Sequence, residues 1–343
     1  MCIFASDNIV TKQNPSHMKR LSGISAAIFL LLTLFPLATS AKSKAPAKPK
    51  KGLRLLYWNI QNGMWSGQGD NYKTFTKWVK AQRPDVCVWC EGQSIYYTGT
   101  DKAMKPEERY LTDHWKELAA RYGHKYWYVG GHRDNYPQVI TSRYPIQNVE
   151  RITGSADSTV MHGAGWATID VHGKKVNIVT LHTWPQKYSP NAKDRQKSGQ
   201  QHEGTKYRRM EMEYIYKHTL GKVAGGEKDL WMMMGDFNSV SPLDNAKYGY
   251  TLDDPRFMVH YYVLGQTPYM DIVSLKHPGE FLTSIGGEAR IDFVYCTRPM
   301  YERVVRADII TDDYTKPVRD EKKISNFWHP SDHRPILVDF DMK

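Results

Sequence analysis

The stretch LWMMMGDFNSV, residues 230–240, carries an apolar run from Leu230 to Met234 through Gly235 and out to Asp236 and Asn238. Successive strand residues point to opposite faces, so residues two apart share one. Asp236 and Asn238 are therefore expected to face a common target. Three more polar residues end buried runs in the same way: Asn59 after LRLLYW, Glu91 after VCVWC and His182 after VNIVTL. Rigid strands that deliver polar groups to one rim are how an α/β protein builds a site. Glu91 has no Lys or Arg within seven residues on either side. A carboxylate leaving a buried strand without a local partner is costly, and a bound cation would resolve that cost. The competing reading is an ion pair with a basic residue far away in sequence.

The elements that must position these groups are legible in outline. LRLLYWNI (53–60) reads as a strand followed by the Gly-rich turn QNGMWSGQGD. NYKTFTKWVKAQ (71–82) places Tyr72, Phe75, Trp78 and Val79 at helical spacing. VCVWC (86–90) is a buried strand ending at Glu91. ERYLTDHWKELAARYG (108–123) predicts a second amphipathic helix, with Leu111, Trp115, Leu118 and Tyr122 on one face and Gly123 closing it. KYWYVG, QVITSR, GWATIDV and VNIVTLHT then read as strands, the last two forming a hairpin through HGKK. YRRMEMEYIYKHTL (207–220) reads as a helix, and residues 254–277 as helical with a break near Gly265–Pro268. RIDFVYC, RVVRADII and RPILVDF close the chain as strands. Helix–strand alternation early and adjacent strands later predict mixed sheets flanked by helices.

The N-terminal segment stands apart. From Met18 the chain runs through Lys19 and Arg20 into a mostly apolar stretch, Ile24 to Leu37, and then the small residues before Ala41. That is the pattern of a cleavable secretory signal. It is shorter than the ~20 residues a membrane span needs, so no stable membrane anchor is expected. The protein is read as secreted or periplasmic, with residues 1–41 upstream and signal, 42–52 a Lys/Pro/Ala linker and 53–343 the folded domain. Residues 1–52 hold eight Lys/Arg and one Asp, so +7 of the formal +11 lies there and +4 remains for residues 53–343. The domain is mildly basic rather than a polycation. Residues 186–222 hold nine Lys/Arg against four Asp/Glu, which reads equally as a phosphate-attracting rim or a solvated loop and helix face. Cys87 and Cys90 have C-x-x-C spacing but sit in a strand, where they face opposite sides and cannot form a disulfide. They read as buried apolar residues.

Six short stretches in order, WNIQNG, CEGQ, LHTW, GDFN, RIDFVYC and SDHRPI, together resemble the endonuclease/exonuclease/phosphatase superfamily. Its members include pancreatic-deoxyribonuclease-like nucleases, abasic-site endonucleases, inositol polyphosphate 5-phosphatases, neutral sphingomyelinases and deadenylases. The resemblance runs from about Leu53 to Phe340. It implies a four-layer α/β sandwich, two facing mixed β-sheets flanked by helices, with the site in a cleft at one edge.

The resemblance also implies roles. Phosphate ester hydrolysis needs charge neutralisation, a base for water and donors on the developing charge. Glu91, Asn59 and Asp332 match the positions that hold or orient the metal. Mg²⁺ is the expected ion, because it prefers oxygen ligands; Mn²⁺ is an alternative and Ca²⁺ an additional ion. His333 is the expected general base, with Asp292 holding its other ring nitrogen. Asp236 positions the attacking water or a proton, Asn238 donates to a phosphoryl oxygen, and His182 steadies the phosphate or assists the leaving group. Departures are visible. Gln61 replaces an acidic residue of some nucleases and Gln93 an Arg frequent in deoxyribonucleases. GDFNSV and RIDF disfavour the inositol 5-phosphatase branch, and His182 argues against the abasic endonucleases.

Other chemistries are excluded more simply. No G-x-S-x-G elbow, P-loop or dinucleotide signature is present. Ser331, Asp332 and His333 are consecutive and cannot converge as a triad. Pro330 forbids the helix that would put His329 and His333 on one face for zinc. The expected substrate is a phosphate ester. Nucleic acid stands beside lipid head groups and sugar phosphates, and a catalytically inactive binding module is the reading outside the enzymes.

Overall fold

The computed structural model describes residues 46–64, 70–93, 114–132, 135–154, 159–286, 288–319 and 328–343. The signal segment and Leu111 of the predicted second helix lie outside these residues. Within them, the expected alternation of buried positions builds two six-stranded sheets.

The first sheet contains β1 (Gly52–Asn59), β2 (Val86–Cys90), β3 (Tyr126–Gly130), β4 (Gln138–Ser142), β11 (Val304–Ile309) and β14 (Ile336–Asp341), in the order β11-β14-β1-β2-β4-β3. The second contains β5 (Ile146–Ile152), β6 (Ala164–Val171), β7 (Lys174–His182), β8 (Leu230–Asp236), β9 (Met270–Asp271) and β10 (Asp292–Cys296), in the order β5-β6-β7-β8-β10-β9. β1–β2 and β7–β8 are parallel and the other pairings antiparallel, so both sheets are mixed. A short ribbon, β12 (Val318–Arg319) with β13 (Trp328–His329), stands apart.

Strand alternation sorts the apolar residues into three cores. Leu55, Tyr57, Val88 and Cys90 of the first sheet meet Ile178, Met232, Met234 and Val294 of the second in the central core. Leu56, Trp58, Cys87 and Trp89 turn outward against the helix Lys73–Gln82 and the helix Trp115–Arg121, through Phe75, Trp78, Val79, Trp115 and Leu118. Val179, Leu181, Trp231 and Met233 turn outward on the other side. They pack against the helices Glu203–Lys217 and Met258–Gln266. Helix, sheet, sheet, helix is the four-layer sandwich that was expected. Cys87 and Cys90 fall in different cores as free thiols, which bears out the strand reading of C-x-x-C.

Some boundaries differ from the sequence reading. The helix expected at 207–220 runs Glu203–Lys217. β5 is absent from the strands read in the sequence, because IQNVERI buries only Ile152 and carries a bulge between Gln147 and Glu150. An edge strand with one solvated face loses the apolar signal. Residues 46–51 lie along the first sheet, where the buried Arg54 forks onto Asp339 at 2.7 and 2.8 Å and donates to Pro46 O at 2.8 Å.

β7 and β8 approach so closely at Gly235 that a Cβ there would run into the carbonyl oxygen of Leu181. Gly235→Ala is therefore expected to lower stability by about 1–3 kcal/mol, the usual range for overpacking. Urea unfolding checks this, and an unmoved midpoint would show that the strands can separate without cost.

Candidate active site

The inner-facing row of each strand changes chemistry at one edge of the sandwich. Tyr57 is inner-facing and Asn59 continues its row. Met232 and Met234 lead to Asp236, Ile178 to His182, and Val294 begins at Asp292. Pairing then aligns them. His182 stands opposite Asp236 in the β7–β8 register and Asp292 opposite Asp236 in β8–β10. Glu91 follows β2 with φ +54°, a left-handed residue that turns the chain at the rim. All of these side chains are buried.

Asn59 stitches the carboxylates together. Its Nδ2 donates to Glu91 Oε1 at 3.2 Å and to Asp236 Oδ2 at 3.0 Å. Its Oδ1 accepts from Gln61 N at 3.0 Å, which fixes the amide orientation. Glu91 Oε2 accepts from Asn62 N at 2.9 Å. Gln61, read as a departure, anchors the ribbon by accepting from Trp328 N at 3.0 Å. Gln93 is buried, and neither end of its amide has a partner among the described residues.

His333 Nδ1 lies 2.7 Å from Asp292 Oδ2. Asp292 is held in turn by Ser284 Oγ at 2.8 Å and, across the two sheets, by Tyr57 Oη at 2.6 Å. The loop bearing His333 is pinned to β1: Ser331 Oγ donates to Asn59 O at 2.7 Å and Trp58 Nε1 to His333 O at 2.9 Å. His333 Nε2 looks into the cluster, 3.7 Å from Asp236 Oδ2 and 3.7 Å from Asp332 Oδ1. Burial opposes charge on this imidazole. Asp292 and Asp332 outweigh it and hold the ring well above the ordinary histidine range.

The carboxylates behave as a like-charged group. Burial, with Asp332 next, pushes Glu91 up, and His333 offsets part of this. Burial and Asp292 push Asp236 up, and burial raises Asp332. Among the described residues none of the three pairs with Lys or Arg, and Asp332 Oδ1 has no hydrogen-bond partner. Ligand atoms of Glu91, His182 and Asp236 lie within 4.8 Å of one another, as do those of Asp236, Asp292 and His333. Asp332 is in neither group. Two buried carboxylates, Glu91 and Asp236, with the half-buried Asp332 beside them, all short of cationic partners, fit a hard divalent ion.

His182 Nε2 is 3.8 Å from Asp236 Oδ2, and among the described residues neither ring nitrogen has a hydrogen bond of ordinary length. Burial, then His162 and His333, push the ring well below the usual range. Asn238 corrects one expectation. The strand ends at Asp236 and Asn238 has φ +45°, so strand alternation does not aim the pair. A turn does: Asn238 N donates to Asp236 Oδ1 at 2.9 Å and Asn238 Nδ2 to Thr183 O at 3.1 Å. The sequence reading missed Tyr57 and Ser284. Tyr57 was recoverable as the inner residue two before Asn59, whereas Ser284 lies in no pattern.

Comparison with known proteins agrees with this geometry. The model of the Endonuclease/Exonuclease/phosphatase family matches residues 56–333. No curated protein matches the chain. An AP endonuclease from Archaeoglobus fulgidus superposes with TM-score 0.57 at 16% identity, covering 84% of this chain and 100% of that one. A 3′ phosphatase from Neisseria bound to a product DNA hairpin gives 0.54 at 15%, covering 84% and 99%. The human Nocturnin catalytic domain with bound sulfate gives 0.53 at 13%, covering 84% and 93%. With the fold, the carboxylate–imidazole rim and a family match across most of its length, the chain belongs to the Endonuclease/Exonuclease/phosphatase family of metal-dependent phosphoric ester hydrolases.

Proposed function

We propose that this protein is a secreted, Mg²⁺-dependent hydrolase of phosphate esters in which His333 activates water. The observation that carries the reading is the Asp292–His333 pair, 2.7 Å apart, with Nε2 turned toward Asp236 and Asp332. Secretion rests on the signal pattern from Met18 to Ala41. Glu91 and Asp236 would hold the ion, with Asn59 orienting both and Asp332 adding its charge beside His333. A divalent ion held there would supply charge neutralisation to the phosphoryl group and would offset the acidic cluster that favours the charged form of His333.

The chain's own groups supply the rest. His333 Nε2 takes a proton from water as the water oxygen bonds to phosphorus. Asp292 stabilises the resulting imidazolium through Nδ1, in a geometry fixed by Ser284 and Tyr57. Asp236 orients the water. Asn238 offers an amide donor to a phosphoryl oxygen. His182 is kept uncharged by burial and its neighbouring imidazoles, so it offers an N–H to the phosphate but no spare proton. The P–O bond to the alcohol breaks and the alcohol oxygen takes its proton from solvent. Hydrolysis that requires Mg²⁺ or Mn²⁺ and stops on chelation tests the reading; metal-independent hydrolysis would overturn it.

The basic residues of 186–222 favour a polyanion such as nucleic acid. Phosphate contacts release counterions and make binding salt-dependent. Cleavage of DNA or RNA is therefore expected to fall steeply from low to high salt, while a small phosphodiester responds weakly. Flat profiles for both would remove this region from substrate binding.

A further inference from the structure

One imidazole outside the residues assigned above is built into the same rim. His162 precedes β6 and is 3% exposed. Its ring stacks on His182, centroids 4.5 Å apart and planes inclined 28°. Tyr136 meets both rings edge-on at 4.9 and 5.9 Å, and Trp184 extends the stack 6.4 Å beyond His162.

The tautomer of His162 is set by its neighbours. Asn135 Nδ2 donates to Met161 O at 2.9 Å, which turns Asn135 Oδ1 toward His162 Nδ1 at 3.1 Å. Nδ1 must therefore carry the hydrogen, leaving Nε2 as a bare acceptor when the ring is uncharged. Burial, with His132 next, pushes this imidazole down to about 3, so it is uncharged. Yet Nε2 has no hydrogen-bond partner among the described residues. Buried acceptors in folded proteins are nearly always paired, and one left unpaired in a ring stacked on His182 calls for an outside donor.

The stack is also held deliberately. Glu211, buried on the helix Glu203–Lys217, accepts from Met161 N at 2.9 Å and from Trp184 N at 2.8 Å. Met161 adjoins His162 and Trp184 lies two residues past His182, so one carboxylate clamps both segments. Arg208, one turn earlier, donates to Trp184 O and Gln186 O, each at 3.0 Å.

We propose that His162 is a substrate-binding residue whose Nε2 accepts a hydrogen bond from a hydroxyl on the alcohol part of the phosphate ester. The proposal rests on the phosphoesterase reading and deepens it. An acceptor set among ring faces suits a hydroxyl-bearing group such as a ribose or a polyol. A site that hydrogen-bonds a hydroxyl rejects the analogue lacking it far better than an apolar pocket can.

The test measures kcat and KM with Mg²⁺ on two matched pairs. One pair is a ribodinucleotide against the deoxyribodinucleotide of the same bases, and the other is glycerophosphocholine against propylphosphocholine. In one pair the wild type prefers the hydroxyl-bearing member by about tenfold, the scale of one hydrogen bond. The responding pair identifies the source of the hydroxyl. His162→Phe, which keeps the ring stack, brings the ratio toward one mainly through KM, and His162→Gln restores part of it. Asn135→Leu, which frees the tautomer, weakens the preference and serves as a second reading if His162→Phe does not fold. No preference in either pair, or an equal loss on both members, overturns the proposal and leaves a bound water as the partner. Hydrolysis of any of the four upholds the phosphoesterase reading regardless of preference. Inertness toward all four sinks that reading and the hydroxyl assignment with it.

Discussion

Replacing His333 with alanine is expected to lower turnover by about 10²–10⁴-fold, the usual contribution of a positioned general base. The geometry makes this residue hard to replace. Nε2 alone of the two ring nitrogens faces the acidic cluster, while Nδ1 is committed to Asp292 at 2.7 Å. His182 is not so oriented, because among the described residues it has no carboxylate within hydrogen-bonding distance. Asp292→Asn should also slow turnover, because the amide can present an N–H to Nδ1 and leave Nε2 protonated. Steady-state kinetics at saturating Mg²⁺ check both variants. A near-native rate in His333→Ala would move the base elsewhere.

Glu91→Gln is expected to abolish Mg²⁺-dependent turnover while leaving a folded protein. Glu91 is a buried carboxylate among like charges, so an isosteric amide relieves repulsion with Asp332. It sacrifices one of the two hydrogen bonds from Asn59 Nδ2 and Asn62 N, about 1 kcal/mol. The two effects oppose each other, and stability in chelator should stay within ~1 kcal/mol of wild type. The difference should appear when metal is added. A ligand that binds only the folded state raises its stability by RT ln(1 + [L]/Kd), so Mg²⁺ should raise the Tm of the wild type and not that of the variant. Calorimetric titration with Mg²⁺ gives a readout independent of activity. Full turnover in Glu91→Gln would mean that the ion sits elsewhere.

What could be seen in the sequence divides along a physical line. Asn59, Glu91, His182 and Asp236 were found because each ends a buried run, and a period of two survives without knowledge of partners. Asn238 was placed by the same rule and for the wrong reason, because a left-handed turn is invisible to alternation. The cross-sheet contact of Tyr57 with Asp292 and the contribution of Ser284 arise from stacking one sheet on another, and no local spacing encodes that. His162 went unnoticed because it stands in a loop before a strand and belongs to none of the stretches that drew attention. β5 escaped because an edge strand shows solvent its polar side.

The bond from Tyr57 on one sheet to Asp292 on the other means that the base proposed above would be assembled from both halves of the sandwich. His333 rides on the loop into β14 of the first sheet, while its orienting carboxylate begins β10 of the second. Catalysis is therefore a gauge of how the two layers are seated. A slip of an ångström between them would silence the enzyme while each layer still kept its own ladder of hydrogen bonds.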